Sequence, residues 1–162
     1  MPTQHYRAET YRAQRSLGYL LKRAHSLLAD HLEPALAASG FTFTQWVVLM
    51  HLRDGIALNA TVLCAQLRHD SGALTRVLDQ LEARGLVQRE RSREDRRSVE
   101  LHLTELGSTT VEQLVPAVVK KFNSALSNFS RAELASLTSL LGKLITSLDA
   151  SVRQAAPSGE PA

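Results

Sequence analysis

The chain has 162 residues, 44% of them apolar and 22% charged, which is enough for one core-bearing domain with an extension. Aromatics at 5% argue against a stacking platform for single strands or RNA, and a net charge of +3 is too small for a uniformly basic coat. One cysteine, Cys64, excludes an internal disulfide, and the sequence has neither a run of about 18 apolar residues nor a signal-peptide core, so a cytoplasmic protein without membrane contact is expected.

Residues 1–9 read as a mobile N-terminal arm. From Tyr11 onward Leu17, Leu20, Leu21, Ala24, Leu27, Leu28 and Leu32 recur at steps of three and four, the stripe of a long amphipathic helix. Pro34 is expected to interrupt it and to open a short turn that ends at Gly40. Thr42 and Gln45 form a capping box for a helix carrying Val48, Leu49 and Leu52 that stops at Asp54-Gly55. Asn59 caps a short helix with Val62, Leu63 and Leu67, ending near His69.

Asp70 or Ser71 caps the next helix, which runs to Ala83 and is stopped by Gly85. Its inward stripe is Leu74, Val77, Leu78 and Leu81, leaving Gly72, Thr75, Arg76, Asp79 and Gln80 outside. Two helices joined by a short turn, the second with a small and polar outer face, match a helix-turn-helix. Gly72 and Ala73 allow close approach to a groove, and Ser71, Thr75, Arg76 and Gln80 can bond bases or phosphates.

Strands follow at Leu86 to Arg91 and Ser98 to Leu103, joined by the polar loop Ser92 to Arg97. Between Arg84 and Arg97 lie six arginines (84, 89, 91, 93, 96 and 97) against Glu90, Glu94 and Asp95. Such a cluster suits phosphates, with a solvated charged loop as the alternative, and Arg91, Arg93 and Arg96 are expected on the DNA backbone. Thr104 caps a helix reaching about Asn128, with Val111, Leu114, Val118, Phe122 and Phe129 in line and a bend at Pro116. Ser130 and Glu133 form a second capping box, for a last helix seamed by Leu134, Leu137, Leu141, Leu144 and Leu148. Residues 155–162 read as a disordered tail.

Leu74-Thr75-Arg76, Leu81-Glu82, Gly85-Leu86-Val87 and Asp95-Arg96-Arg97 before Leu103-Thr104 together make the chain, over roughly residues 11–150, resemble the MarR (multiple antibiotic resistance regulator) family. The resemblance implies a mainly α fold of about six helices with a small antiparallel β wing. It divides the chain into an N-terminal dimerisation helix (10–40), a winged helix-turn-helix DNA-binding domain (41–104) and C-terminal dimerisation helices (105–154). It implies a homodimeric regulator of transcription, a repressor on a near-palindromic DNA operator, with Leu17, Leu20 and the Leu134–Leu148 seam joining the copies. The recognition helix enters the major groove and Arg97, on the wing, the minor groove. Asp95 is expected to fix the wing internally.

The resemblance further implies a small aromatic carboxylate or phenolic effector that releases the DNA. Tyr11, Arg15 and Tyr19, at i, i+4 and i+8 of the first helix, are candidate ligand residues with His51 and His69, the alternative being surface or interface residues. Cys64 is expected to be a buried structural thiol rather than a redox sensor, and Trp46 a packing residue. The six histidines show no i, i+4 pair, so no metal or other cofactor is expected. No nucleophile–base pair or phosphate-cradling loop suggests an enzyme. The competing reading is an architectural DNA-binding dimer without an effector.

Overall fold

A computed structural model describes residues 4–56, 59–67, 70–92 and 98–155. Among the described residues there are six α-helices and two strands: α1 (Leu17–Ala37), α2 (Phe43–Arg53), α3 (Ala60–Leu67), α4 (Ser71–Ala83), β1 (Val87–Arg91), β2 (Val99–Leu103), α5 (Glu105–Ala125) and α6 (Arg131–Ala155). This is the mainly α arrangement with a β wing that the sequence suggests. Elements α1 to β2 and α5 form one compact unit ending at Ala125, and α6 belongs to a second that begins at Leu126.

In the first unit the strands pair antiparallel, from Val87 opposite Leu103 to Arg91 opposite Val99. The core collects Leu32 and Leu36 of α1, Trp46, Val48 and Leu49 of α2, Leu63 of α3, Leu74, Leu78 and Leu81 of α4, Leu101 of β2, and Val111, Leu114 and Val118 of α5. Trp46 is a packing residue, as expected. Cys64, expected to be buried, is half-buried and packs against the edge of the core.

Most helix starts are as read. Thr42 Oγ1 accepts from the Gln45 N–H (3.2 Å), Asn59 Oδ1 from Val62 (2.8 Å), Thr104 Oγ1 from Gly107 (2.9 Å) and Ser130 Oγ from Glu133 (3.2 Å). Between the two possible caps of α4, Asp70 is the one that accepts, from Ala73 at 3.0 Å.

Some expectations need correction, and the structure adds detail to others. The first helix does not begin near Tyr11: Ser16 takes an extended conformation and its Oγ accepts from the Tyr19 N–H at 3.3 Å, so helix starts at Leu17 after two single 3₁₀ turns. The arm is also tied back, because the Leu17 N–H donates to the Tyr6 hydroxyl at 3.0 Å. Pro34 does not end α1. An interior proline costs about 3 kcal/mol, and burying Leu32 and Leu36 on either side of it, each worth about 1.5–3 kcal/mol, outweighs that. The apolar stripe of α1 splits along its length: Leu32 and Leu36 are buried, whereas Leu17, Leu20 and Leu27 are exposed. Phe129 lies past the end of α5 and is exposed, not in line with Val118.

Candidate nucleic-acid interface

The candidate interface is built on α4. Its three fully inward leucines seat it against the core, and Ser71, Gly72, Thr75, Arg76, Asp79 and Gln80 are exposed, with Ala73 half-buried. Two exposed side chains bond back onto their own helix. The Thr75 hydroxyl donates to the Ser71 carbonyl at 2.8 Å, which leaves its methyl and lone pairs for a groove. Arg76 Nε donates to the Gly72 carbonyl at 3.3 Å, which leaves the two terminal nitrogens for a phosphate or a guanine edge. Beside this face an open hollow of about 580 Å³ lies between α3 and α4, lined by Ala60, Thr61, Cys64, Ala65, Ser71, Leu74 and Thr75.

The wing is fastened to α4 by Arg89. Its guanidinium pairs with Asp79 (2.7 Å) and Glu82 of α4, and those bonds, Asp79 first, raise its pKa further above the ordinary arginine value. Arg84, at the end of α4, donates to the Gly40 carbonyl (2.9 Å) and lies 4.0 Å over the Phe41 ring. Among the described residues, Arg84 and Arg89 of the cluster therefore make internal joints. Such reach across the fold is invisible in a linear charge run.

On the hairpin, Glu90 and Glu100 face each other across the strands. Like charges so placed repel, and each carboxylate finds its own donor. Gln88 donates to Glu90 at 2.8 Å, while Ser92, and then His102 at 3.2 Å, hold the Glu100 carboxyl below its ordinary pKa. The Ser92 N–H continues the ladder to the Ser98 carbonyl at 2.9 Å. Arg91 is exposed at the end of β1. Arg93, Asp95, Arg96 and Arg97 lie outside the described residues, as does His69.

The ligand set is not brought together on one helical face. Tyr11 and Arg15 precede α1, and only Tyr19 belongs to it. Tyr11 packs edge-on to Tyr6, with ring centroids 5.8 Å apart. His51 is half-buried on α2, its Nδ1 2.8 Å from the Val47 carbonyl. The i, i+4, i+8 spacing assumed continuous helix, and the Ser16 cap breaks it.

Sequence reasoning read Gln45 only as a capping residue. Its amide also reaches α4, with Nε2 donating to Gln80 Oε1 at 3.0 Å. No local signal marks a contact between residues 35 apart in the chain.

A family model described as the MarR family matches residues 39–98. The chain is 33% identical over 137 residues to the organic hydroperoxide resistance transcriptional regulator of Bacillus subtilis, covering 83% of this chain and 90% of that protein. A crystal structure of a mutant MarR from E. coli complexed with operator DNA superposes with a TM-score of 0.68 at 31% identity, over 79% of this chain and 92% of that one. The Bordetella bronchiseptica regulator BpsR, whose structure concerns regulation of DNA binding by 6-hydroxynicotinic acid, superposes with a TM-score of 0.70 at 29% identity, over 83% and 96% of the two chains.

Proposed function

The chain belongs to the MarR family of winged-helix transcriptional regulators, and on that footing we propose that it works in the cytoplasm as a homodimeric repressor, released from a near-palindromic operator by a small aromatic acid or phenol. The observation that carries the reading is the exposed face of α4, small and polar from Ser71 to Gln80, held by Arg89 against a hairpin. Two such faces meet major grooves one turn apart, about 34 Å. In the same reading Ser71, Gly72, Ala73, Thr75, Arg76 and Gln80 address the major groove. Arg91, Arg93 and Arg96 address phosphates, and Arg97 enters the minor groove with Asp95 fixing the loop.

Exposed apolar residues on Leu17, Leu20 and Leu27 of α1, and on Leu137, Leu140 and Leu148 of α6, support a partner chain as their cover. An effector then acts by binding more tightly to a dimer whose recognition helices no longer match the groove spacing. That BpsR is regulated by a heteroaromatic acid supports the ligand class.

A gel shift on the promoter of the protein's own gene, with a panel of aromatic acids and an organic hydroperoxide as separate arms, tests this. The expected result is a discrete complex that one of the acids dissolves. Sequence-blind coating of any duplex would overturn the operator reading. Release by the hydroperoxide alone, lost in Cys64→Ser, would move the signal to the thiol.

A further inference from the structure

We infer that Gln45, a buried residue of α2, dictates which bases Gln80 can read; this rests on α4 being the recognition helix. Two hydrogen bonds fix the direction of both amides. The backbone N–H of Thr42 donates to one end of the Gln45 amide at 3.0 Å. A backbone N–H can only donate, so that end is Oε1. The other end of Gln45 is then its NH₂, 3.0 Å from the Gln80 amide. An NH₂ also only donates, so Gln80 must present its oxygen inward. Neither amide is free to flip without setting two donors or two acceptors against each other.

What Gln80 keeps for DNA is its Nε2, a donor alone. It stands one turn beyond Arg76 on the exposed face of α4. Reading adenine needs both ends of an amide, one donating to N7 and the other accepting from N6. With Oε1 turned inward onto the Gln45 amide, the two ends of Gln80 no longer face one base together, and that pairing is lost. Guanine, with two adjacent acceptors at N7 and O6, suits a donor. The capping box accounts for the bond to Thr42 but does not require the other end of Gln45 to grip a residue on the exposed face. Gln45 is thus a positioning residue for base choice, acting through Gln80.

Gln45→Glu separates this from a purely structural role. A carboxylate still completes the capping box, but its second oxygen accepts instead of donating. Gln80 must then turn its NH₂ inward and expose Oε1, which suits the exocyclic amines of adenine or cytosine.

The experiment is selection from randomised duplexes with the full-length protein, its Gln45→Glu, Gln80→Ala and Gln80→Glu variants and the Gln45→Glu/Gln80→Ala double variant, with thermal unfolding of each. Wild type is expected to favour guanine over adenine by roughly fivefold at one position of each half-site. Gln45→Glu should reverse that preference at the same position, and Gln80→Ala should erase it whether or not Gln45 is changed. Gln80→Glu, which exposes an acceptor while leaving Gln45 intact, should give the same reversal even if Gln45→Glu folds poorly. Wild type choosing adenine there, Gln45→Glu choosing the wild-type base, or Gln80→Ala keeping every preference each overturns the inference while leaving the operator reading intact. Enrichment of no sequence by wild type overturns the operator reading itself, and this inference with it.

Discussion

Gly107 is the point where α5 meets the residue just before β1, Leu86, backbone to backbone. A Cβ there would stand 2.0 Å from the Leu86 carbonyl oxygen, the same oxygen that accepts from the Thr104 N–H at 3.1 Å. The neighbour is main chain tied into the start of α5, so it has little room to yield. Gly107→Ala is therefore expected to cost about 3 kcal/mol or more, read as a lowered urea midpoint. A midpoint equal to wild type would show that the junction is looser than its geometry. Arg89 matters differently. Its ion pairs are partly exposed, so Arg89→Gln should cost under about 1 kcal/mol of stability. It also leaves Asp79 and Glu82 uncompensated on the helix proposed to face DNA, and operator affinity should fall about tenfold. Adding Asp79→Asn should restore part of that loss; no restoration would mean that the pairing, not the charge, is what counts. The roles of Arg84 and Arg89 illustrate what the sequence hides. Both read as members of a basic run, and both are spent on partners 44 and 7–10 residues away.

At the scale of elements, helix starts were legible because capping is local. Thr42 with Gln45, Asn59 with Val62, Thr104 with Gly107 and Ser130 with Glu133 all act across three residues. Two features of α1 were not legible from its apolar spacing. Periodicity carries no mark of where the chain leaves the helix, so spacing alone puts Tyr11 and Arg15 on a face that the Ser16 cap excludes. Nor does a proline announce that Leu32 and Leu36 will bury deeply enough to carry the helix past it. The cap of α6 gives a pH prediction. The Ser130 N–H, and then its hydroxyl, hold the Glu133 carboxyl below its ordinary pKa. The folded helix start therefore takes up a proton less readily than the unfolded chain. Its contribution is complete above the ordinary glutamate value, about 4.3, and is lost as pH falls from there through the depressed folded value. Glu133→Gln keeps an acceptor for the box but cannot titrate. Its helicity, followed by circular dichroism through this acid range, should fall less than that of wild type. Parallel curves would remove Glu133 from the acid response.

Across the whole molecule, the surfaces proposed to pair two copies are divided: Leu17, Leu20 and Leu27 of α1 lie in the same unit as α4, and those of α6 lie in the other. The first unit, ending at Ala125, holds α4 and the hairpin, while α6 belongs to the second and keeps Leu137, Leu140 and Leu148 exposed. If α6 is part of the seam between copies, Leu141→Asp with Leu144→Asp should give a monomer by sedimentation and weaken operator binding together. A monomer that still binds the full operator tightly would detach the pairing from the reading. In the proposed dimer two copies of α4 are held one helical turn apart. The most direct measurement is affinity for the selected operator with five base pairs inserted between its half-sites. That rotates one half-site by about half a turn, so affinity should fall about a hundredfold, approaching that for a single half-site. Unchanged affinity across the insertion would contradict that arrangement, since two readers fixed in one dimer cannot follow half-sites to opposite faces of the duplex.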